Sequence, residues 1–308
     1  MRRIFAALAL FAAVAACSGA PGTTTEGTGA GARITAVEGL SARVDRLSIR
    51  SPALGREGSV WVLKPEGWMP GSAGWPVLYL LHGCCVSRGD AWLVYGDAER
   101  ITAGLKAVVV VPEGGEMSWY SDWLDGPAWE SFHLKEVMPL VEARYRTGDR
   151  RAVAGASMGG FGALAYAARH PGVFEAAASF SGVIDTGYDP GGLEGLMRDY
   201  GVDPRDLWGD ARERPEVWKA HNPADLAGRL ENVRVYLACG DGRPGPLDGR
   251  GEAVDEGERS ILERNRRFVT AARAAGVAVT TDFYGAGTHD WRYWIRELED
   301  VLPALLPA

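Results

Sequence analysis

The chain has little cysteine, little lysine and no surplus of positive charge. Four of its 308 residues are Cys, and neither a C-x-x-C pair nor clustered histidine points to structural zinc. Lys and Arg number 33 against 40 Asp and Glu, a formal net charge of −7. That balance lacks the basic footprint of a nucleic-acid binder. Beyond the N-terminus no apolar run approaches the length of a membrane span. Apolar material is nonetheless plentiful, at 46% of residues with 11 Trp, so wholesale disorder is excluded.

The N-terminus has its own pattern. Met1-Arg2-Arg3 is positive, residues 4–14 are apolar, and Val14-Ala15-Ala16-Cys17 places small residues before a Cys. The pattern predicts a lipoprotein signal peptide over residues 1–17, with Cys17 acylated and anchoring the protein to a membrane. An ordinary small-residue cleavage site beside an incidental Cys is the alternative. Residues 18–32, rich in Gly and Thr, read as a flexible tether, and residues 33–308 as the folded domain. Cys84, Cys85 and Cys239 remain, an odd number that excludes a complete disulfide framework. Adjacent Cys84 and Cys85 read as two small half-buried thiols rather than as a strained vicinal disulfide.

Strand and helix signals then alternate. Strand candidates are residues 43–49, 59–63, 77–81, 108–111, 152–154, 176–180, 233–238 and 277–284. The first two look like an antiparallel pair. The short continuous apolar runs that follow suit strands buried on both faces, as in a parallel sheet. Helical stretches fall at 130–145, 158–169, 255–275 and 291–302. This predicts an α/β fold with helices on both faces of the sheet. In such sheets chemistry sits beyond the carboxyl ends of the strands.

Gly155-Ala156-Ser157-Met158-Gly159-Gly160 occupies such a place, between a strand and a helix of small residues. Alone the G-x-S-x-G pattern is weak; in this context it reads as a nucleophile elbow. A serine hydroxyl needs a base, and the base an orienting acid. Of the five histidines, His289 follows the last strand and is the candidate base. His221 reads as a surface or capping residue, and His170 as a partner of its helix's C-terminal dipole. Asp241, directly after its strand, is the acid that spacing favours. Asp248, Asp255, Glu256 and Glu258 lie nearby. Backbone N–H groups of Met158 and Cys84 are placed to form an oxyanion hole, with His82 read as structural. Trp119, Tyr120 and Trp123 follow a strand and read as a substrate wall, with packing beneath a loop as the alternative.

Over about residues 54–302 the chain resembles the esterase D superfamily of α/β hydrolases, near the secreted trehalose mycolyltransferases and related serine esterases. The segments that carry the likeness are Leu80-Leu81-His82-Gly83, Ser118-Trp119-Tyr120-Ser121-Asp122-Trp123, Trp129-Glu130-Ser131-Phe132, the Ser157 elbow, Ser179-Phe180-Ser181-Gly182, Leu207-Trp208-Gly209 and Gly287-Thr288-His289-Asp290-Trp291-Arg292-Tyr293-Trp294. The resemblance implies a mostly parallel sheet of about eight strands and no cofactor or metal. It also shifts the acid to Glu258, because the mycolyltransferases carry a Glu seven residues before an Asn, here Asn265, with Phe268 three beyond. Trp291 matches a Trp those enzymes place after their histidine, and with His82 it counts as a substrate-binding candidate. Two departures stand out. Where the mycolyltransferases have an Asp and an Arg that help hold the sugar, this chain has His82 and Cys85. The expectation is an exported serine esterase acting on small-molecule or lipid esters. An acyltransferase using a sugar or lipid alcohol is the alternative, and a non-catalytic surface binding protein a third.

Overall fold

The computed structural model describes residues 31–86 and 88–307. The signal segment, Cys17 and all but the last two tether residues lie outside the described residues. Nine strands form one sheet among the described residues: β1 (Arg33–Gly39), β2 (Val44–Ser51), β3 (Arg56–Leu63), β4 (Trp75–Leu81), β5 (Val108–Pro112), β6 (Thr147–Ala156), β7 (Ala176–Phe180), β8 (Arg234–Gly240) and β9 (Val279–Gly285). Their order is β1-β2-β3-β5-β4-β6-β7-β8-β9. β1, β2 and β3 pair antiparallel, β3 meets β5 antiparallel, and every pairing from β5 onward is parallel. The α/β-hydrolase expectation holds, with nine strands in place of about eight.

The central strands read as unbroken apolar runs because both of their faces are covered. Val77, Tyr79, Leu81, Val108 and Val110 point into one core, shared with Phe132, Val141 and Phe161. Leu78, Leu80, Val109 and Val111 point into the other, shared with Trp92, Trp294 and Leu298. On the first face lie the helix of residues 129–145, which widens into a π turn at Phe132–Val137, and the elbow helix Met158–Arg169. The second face is covered by the final helix Trp291–Leu305. β6 and β7 present Ala152, Ala154, Ala176 and Ala178, all fully buried, and these small side chains let the flanking helices approach closely.

Because β4, β6, β7, β8 and β9 run the same way, their carboxyl ends share one edge. That edge receives His82-Gly83, Ser157, Ser181, Asp241 and His289 from five separate stretches of chain.

Candidate active site

The elbow is a steric problem solved by glycine. Ser157 has φ +55° and ψ −118°, a conformation an L-residue rarely adopts. It is held there by its N–H, which donates to Phe180 O at 2.9 Å. A Cβ on Gly155 would sit 2.2 Å from Gly159 O, and one on Gly159 would sit 2.1 Å from Leu81 O. No side chain fits either position, so the strand and helix can cross only with glycine there. The Ser157 side chain emerges at the start of the elbow helix, whose first N–H groups lack intrahelical acceptors and favour nearby negative charge.

His289 bridges two groups. Its Nε2 lies 2.9 Å from Ser157 Oγ and its Nδ1 lies 2.7 Å from Glu258 Oε2. With Glu258 as carboxylate, Nδ1–H donates to it and Nε2 accepts from the serine hydroxyl. Glu258 is fully buried. Its other oxygen accepts from Ser181 Oγ at 2.7 Å and from Gly240 N–H at 2.8 Å, so the carboxylate is fixed with one oxygen left for the imidazole. Asp241, the acid favoured by spacing, does not reach His289. It turns outward to accept from Arg243, whose guanidinium holds the Asp241 carboxyl below its ordinary range. The reason lies in the turn after β8, which aims position 241 at solvent, whereas Glu258 enters from the first turn of the long helix Glu256–Ala274.

Three further residues support this arrangement. Asp255 caps the long helix by accepting from Glu258 N–H at 3.0 Å, and its second oxygen accepts from His289 N–H at 2.9 Å. One side chain thereby ties the acid's helix to the histidine's loop. Its signal in the sequence was the Asp255-x-x-Glu258 capping-box pattern. Trp294 packs edge-on against the His289 ring at 4.9 Å, and its indole N–H donates to Ser181 Oγ at 3.1 Å. Ser181 and Trp294 lie in or beside motifs of the resemblance, but no sequence spacing assigns them these contacts.

On the opposite side, Gly83 abuts the serine: a Cβ there would lie 3.2 Å from Ser157 Cβ. Cys84 follows Gly83 in the loop, and Met158 follows Ser157 as the first residue of the elbow helix. His82 is 1% exposed and both ring nitrogens are engaged, Nδ1 with Gly83 O at 2.8 Å and Nε2 with Gly114 N–H at 2.8 Å. Burial keeps its pKa below the ordinary value, so the ring stays neutral and braces the loop. It has no polar edge left for substrate. Trp119 and Tyr120 are likewise corrected from substrate wall to packing. Each is 1% exposed. Tyr120 donates to His82 O at 2.8 Å, while Trp119 packs on Phe161 and Trp208. Trp123 is half-buried and donates to Ser118 O. Trp291 is half-buried beside the histidine, edge-on to Trp92 and near the exposed Tyr95.

A cavity of about 610 Å³ lies elsewhere. Asp185, Trp218, Asn222 and Arg267 line it; Ser157 does not. The Ser157 cluster is therefore a feature of the sheet edge and not of that cavity. Among the described residues no cluster of acidic, Cys and His side chains could hold a metal, and no helix is long and apolar enough to cross a membrane.

Residues 51–305 match the family described as a putative esterase. The chain belongs to this esterase family. An esterase of Mycobacterium tuberculosis is 34% identical over 244 residues, which are 74% of this chain and 52% of that protein. This esterase-family chain thus spans about half the length of that relative. The diacylglycerol acyltransferase/mycolyltransferase Ag85A of Mycobacterium leprae is 32% identical over 281 residues, 85% of this chain and 82% of that one. Among solved structures, Mycobacterium tuberculosis MPT51 superposes with a TM-score of 0.73 at 29% identity, covering 86% of this chain and 98% of its own. The likeness to esterases and mycolyltransferases read from the motifs agrees with these matches.

Proposed function

We propose that this protein is an exported serine esterase that hydrolyses carboxylic esters through an acyl-enzyme. The observation that carries the reading is the imidazole of His289 lying between Ser157 Oγ, at 2.9 Å, and the buried Glu258 carboxylate, at 2.7 Å. Ser157 Oγ attacks the ester carbonyl carbon while His289 Nε2 takes its proton. The Met158 and Cys84 N–H groups stabilise the oxyanion. Glu258 fixes the tautomer and stabilises the imidazolium. Collapse of the tetrahedral intermediate expels the alcohol, which receives the proton from His289. Water, activated by the same base, then cleaves the acyl-enzyme. In this reading Trp291 and Trp123, both half-buried, are the residues that meet an apolar part of the substrate.

A second reading shares the acyl-enzyme but delivers it to a sugar or lipid alcohol, as the names of the mycolyltransferase relatives suggest. Hydrolysis is favoured by His82 and Cys85. One is buried and fully bonded, the other a thiol, and they replace the two polar groups that hold sugar in those enzymes. We assign residues 1–17 to a lipoprotein signal with Cys17 as the acylated residue, residues 18–32 to a tether and residues 33–308 to the catalytic domain. The protein would then act outside the cytoplasmic membrane on small-molecule or lipid esters. Hydrolysis of p-nitrophenyl esters of graded chain length by wild type and Ser157→Ala tests the chemistry; equal rates would end it. Products formed from a long-chain acyl donor with and without trehalose separate the two readings. Radiolabelled palmitate retained by the wild type and lost in Cys17→Ala tests the anchor.

A further inference from the structure

Beside the histidine, the surface carries apolar side chains that the proposed chemistry leaves unused. Val94 and Tyr95, at the end of a short helix, are 48% and 46% exposed, and Leu247 is 38% exposed. Contacts join them to the His289 segment. The Trp294 ring packs on His289 at 4.9 Å and on Trp291 at 5.1 Å, and the Trp291 ring lies 6.0 Å from that of Tyr95. Gly96 keeps the Tyr95 turn against Trp291, since a Cβ there would meet the indole at 3.0 Å. From the other direction, Arg292 Nη1 donates to Leu247 O at 2.7 Å. Single exposed apolar residues are ordinary. Here residues from separate stretches of chain gather around one functional segment, which is the pattern of a contact surface.

Strand polarity bears on what that surface meets. β1 runs opposite to β2, β2 to β3 and β3 to β5, so β1 begins where β5 ends. Arg33 pairs with Arg50, Arg50 with Glu57, and Val60 with Pro112, the last residue of β5. The chain therefore enters the sheet at its carboxyl edge, the edge of Ser157 and His289. Its end lies at the opposite edge. Arg234 and Arg150, in the first half of β8 and β6, donate to Leu305 O at 3.0 Å and to Pro307 O at 2.6 Å. Five strand spacings, about 24 Å, separate β1 from β6 along the edge. Residues 18–30 reach at most about 45 Å, comparable to the diameter of a domain of this length. A lipid anchor ahead of β1 thus turns the carboxyl edge, with Val94, Tyr95 and Leu247, toward the membrane.

We propose that the carboxyl edge of the sheet docks on a lipid surface through Val94, Tyr95 and Leu247, so that Ser157 takes its ester from that surface. The proposal rests on the exported-esterase reading and names how its substrate is presented. Aliphatic and aromatic side chains gain free energy by leaving water for the headgroup boundary. Docking also raises the local concentration of an ester held in the same surface.

The test uses residues 18–308, the mature chain that the Cys17 reading predicts, which holds all nine strands. A hexahistidine tag at one end or the other hangs it from phosphatidylcholine vesicles that contain nickel-chelating lipid and p-nitrophenyl palmitate. This attachment does not depend on acylation of Cys17. Hung from its N-terminus, the protein should cleave the vesicle ester at least about tenfold faster than when hung from its C-terminus, with rates on soluble p-nitrophenyl butyrate within about twofold of each other. Val94→Asp and Leu247→Asp should each slow the N-terminally hung protein on the vesicle ester by at least about threefold and leave the butyrate rate within about twofold. Equal vesicle rates from the two ends, or variants that lose both esters alike, would overturn the proposal. A dimer in solution that Val94→Asp dissociates, with vesicle rates unchanged, would assign the surface to a second copy and overturn it too. Protein that hydrolyses neither ester would remove the esterase reading. Quenching of tryptophan emission by dibrominated phosphatidylcholine then still decides the docking: quenching from the N-terminal tag alone supports it, and equal or absent quenching from both ends refutes it.

Discussion

Asp241 and Glu258 compete for one role, and they differ in what surrounds them. Asp241 is spent on Arg243 at the surface, while Glu258 has one oxygen fixed by Ser181 and Gly240 and the other on His289. We expect Glu258→Gln to lower kcat by roughly 10³–10⁴-fold, because an amide neither selects the imidazole tautomer nor stabilises its cation. Asp241→Asn should leave kcat within about threefold of wild type, since a surface change away from the reacting atoms acts weakly. Steady-state kinetics on one ester checks both. From spacing alone Asp241 was the better candidate, because sequence distance after a strand says nothing of the turn that follows. Ser157 and His289 were legible, since each lies at a strand end that the apolar runs mark. Trp119 and Tyr120 were not, because an aromatic residue after a strand looks the same whether it walls a site or fills the space under a loop.

At the scale of elements, the elbow and the long helix set the site. Gly159→Ala would drive a methyl into Leu81 O, which belongs to backbone and cannot step aside. We expect loss of at least about 2–3 kcal/mol of stability together with activity, measured by urea denaturation and ester hydrolysis. Asp255 should behave differently. Removing it in Asp255→Ala takes away a helix cap, about 1 kcal/mol, and frees the His289 backbone. A positioning role predicts a fall in kcat larger than the change in KM, with partial rescue by Asp255→Asn; equal effects on folding and no kinetic split would refute it. The same scale shows what the sequence hid. β1 escaped notice because its last five residues are exposed and it lies at the sheet edge, so it carries no apolar alternation. The helices Pro190–Asp199 and Pro215–His221 begin on proline and are short, and their pattern was too brief to separate from loop. The long helices and parallel strands were legible because burial on a face imposes a period over many residues.

For the molecule as a whole, buried neutral histidine links stability to pH. His133 lies between Tyr166 and Glu113 O, and burial lowers it to about 4. An unfolded histidine titrates near about 6.5, so below that value the unfolded chain binds a proton that the folded chain does not. This contribution is fully present above about pH 6.5 and is lost progressively as pH falls toward about 4, an effect on the order of 3 kcal/mol. Denaturation of wild type and His133→Gln at neutral pH and near pH 4.5 should show a flatter dependence in the variant; parallel curves would contradict it. The larger claim is that the sheet edge assembles one reactive serine from distant parts of the chain. Its most direct measurement is labelling of the folded protein with a fluorophosphonate probe, followed by peptide mass mapping. The account predicts a single adduct on Ser157 that disappears on denaturation and is strongly reduced in His289→Ala. An adduct on another residue, or Ser157 labelling that survives loss of the imidazole undiminished, would contradict it.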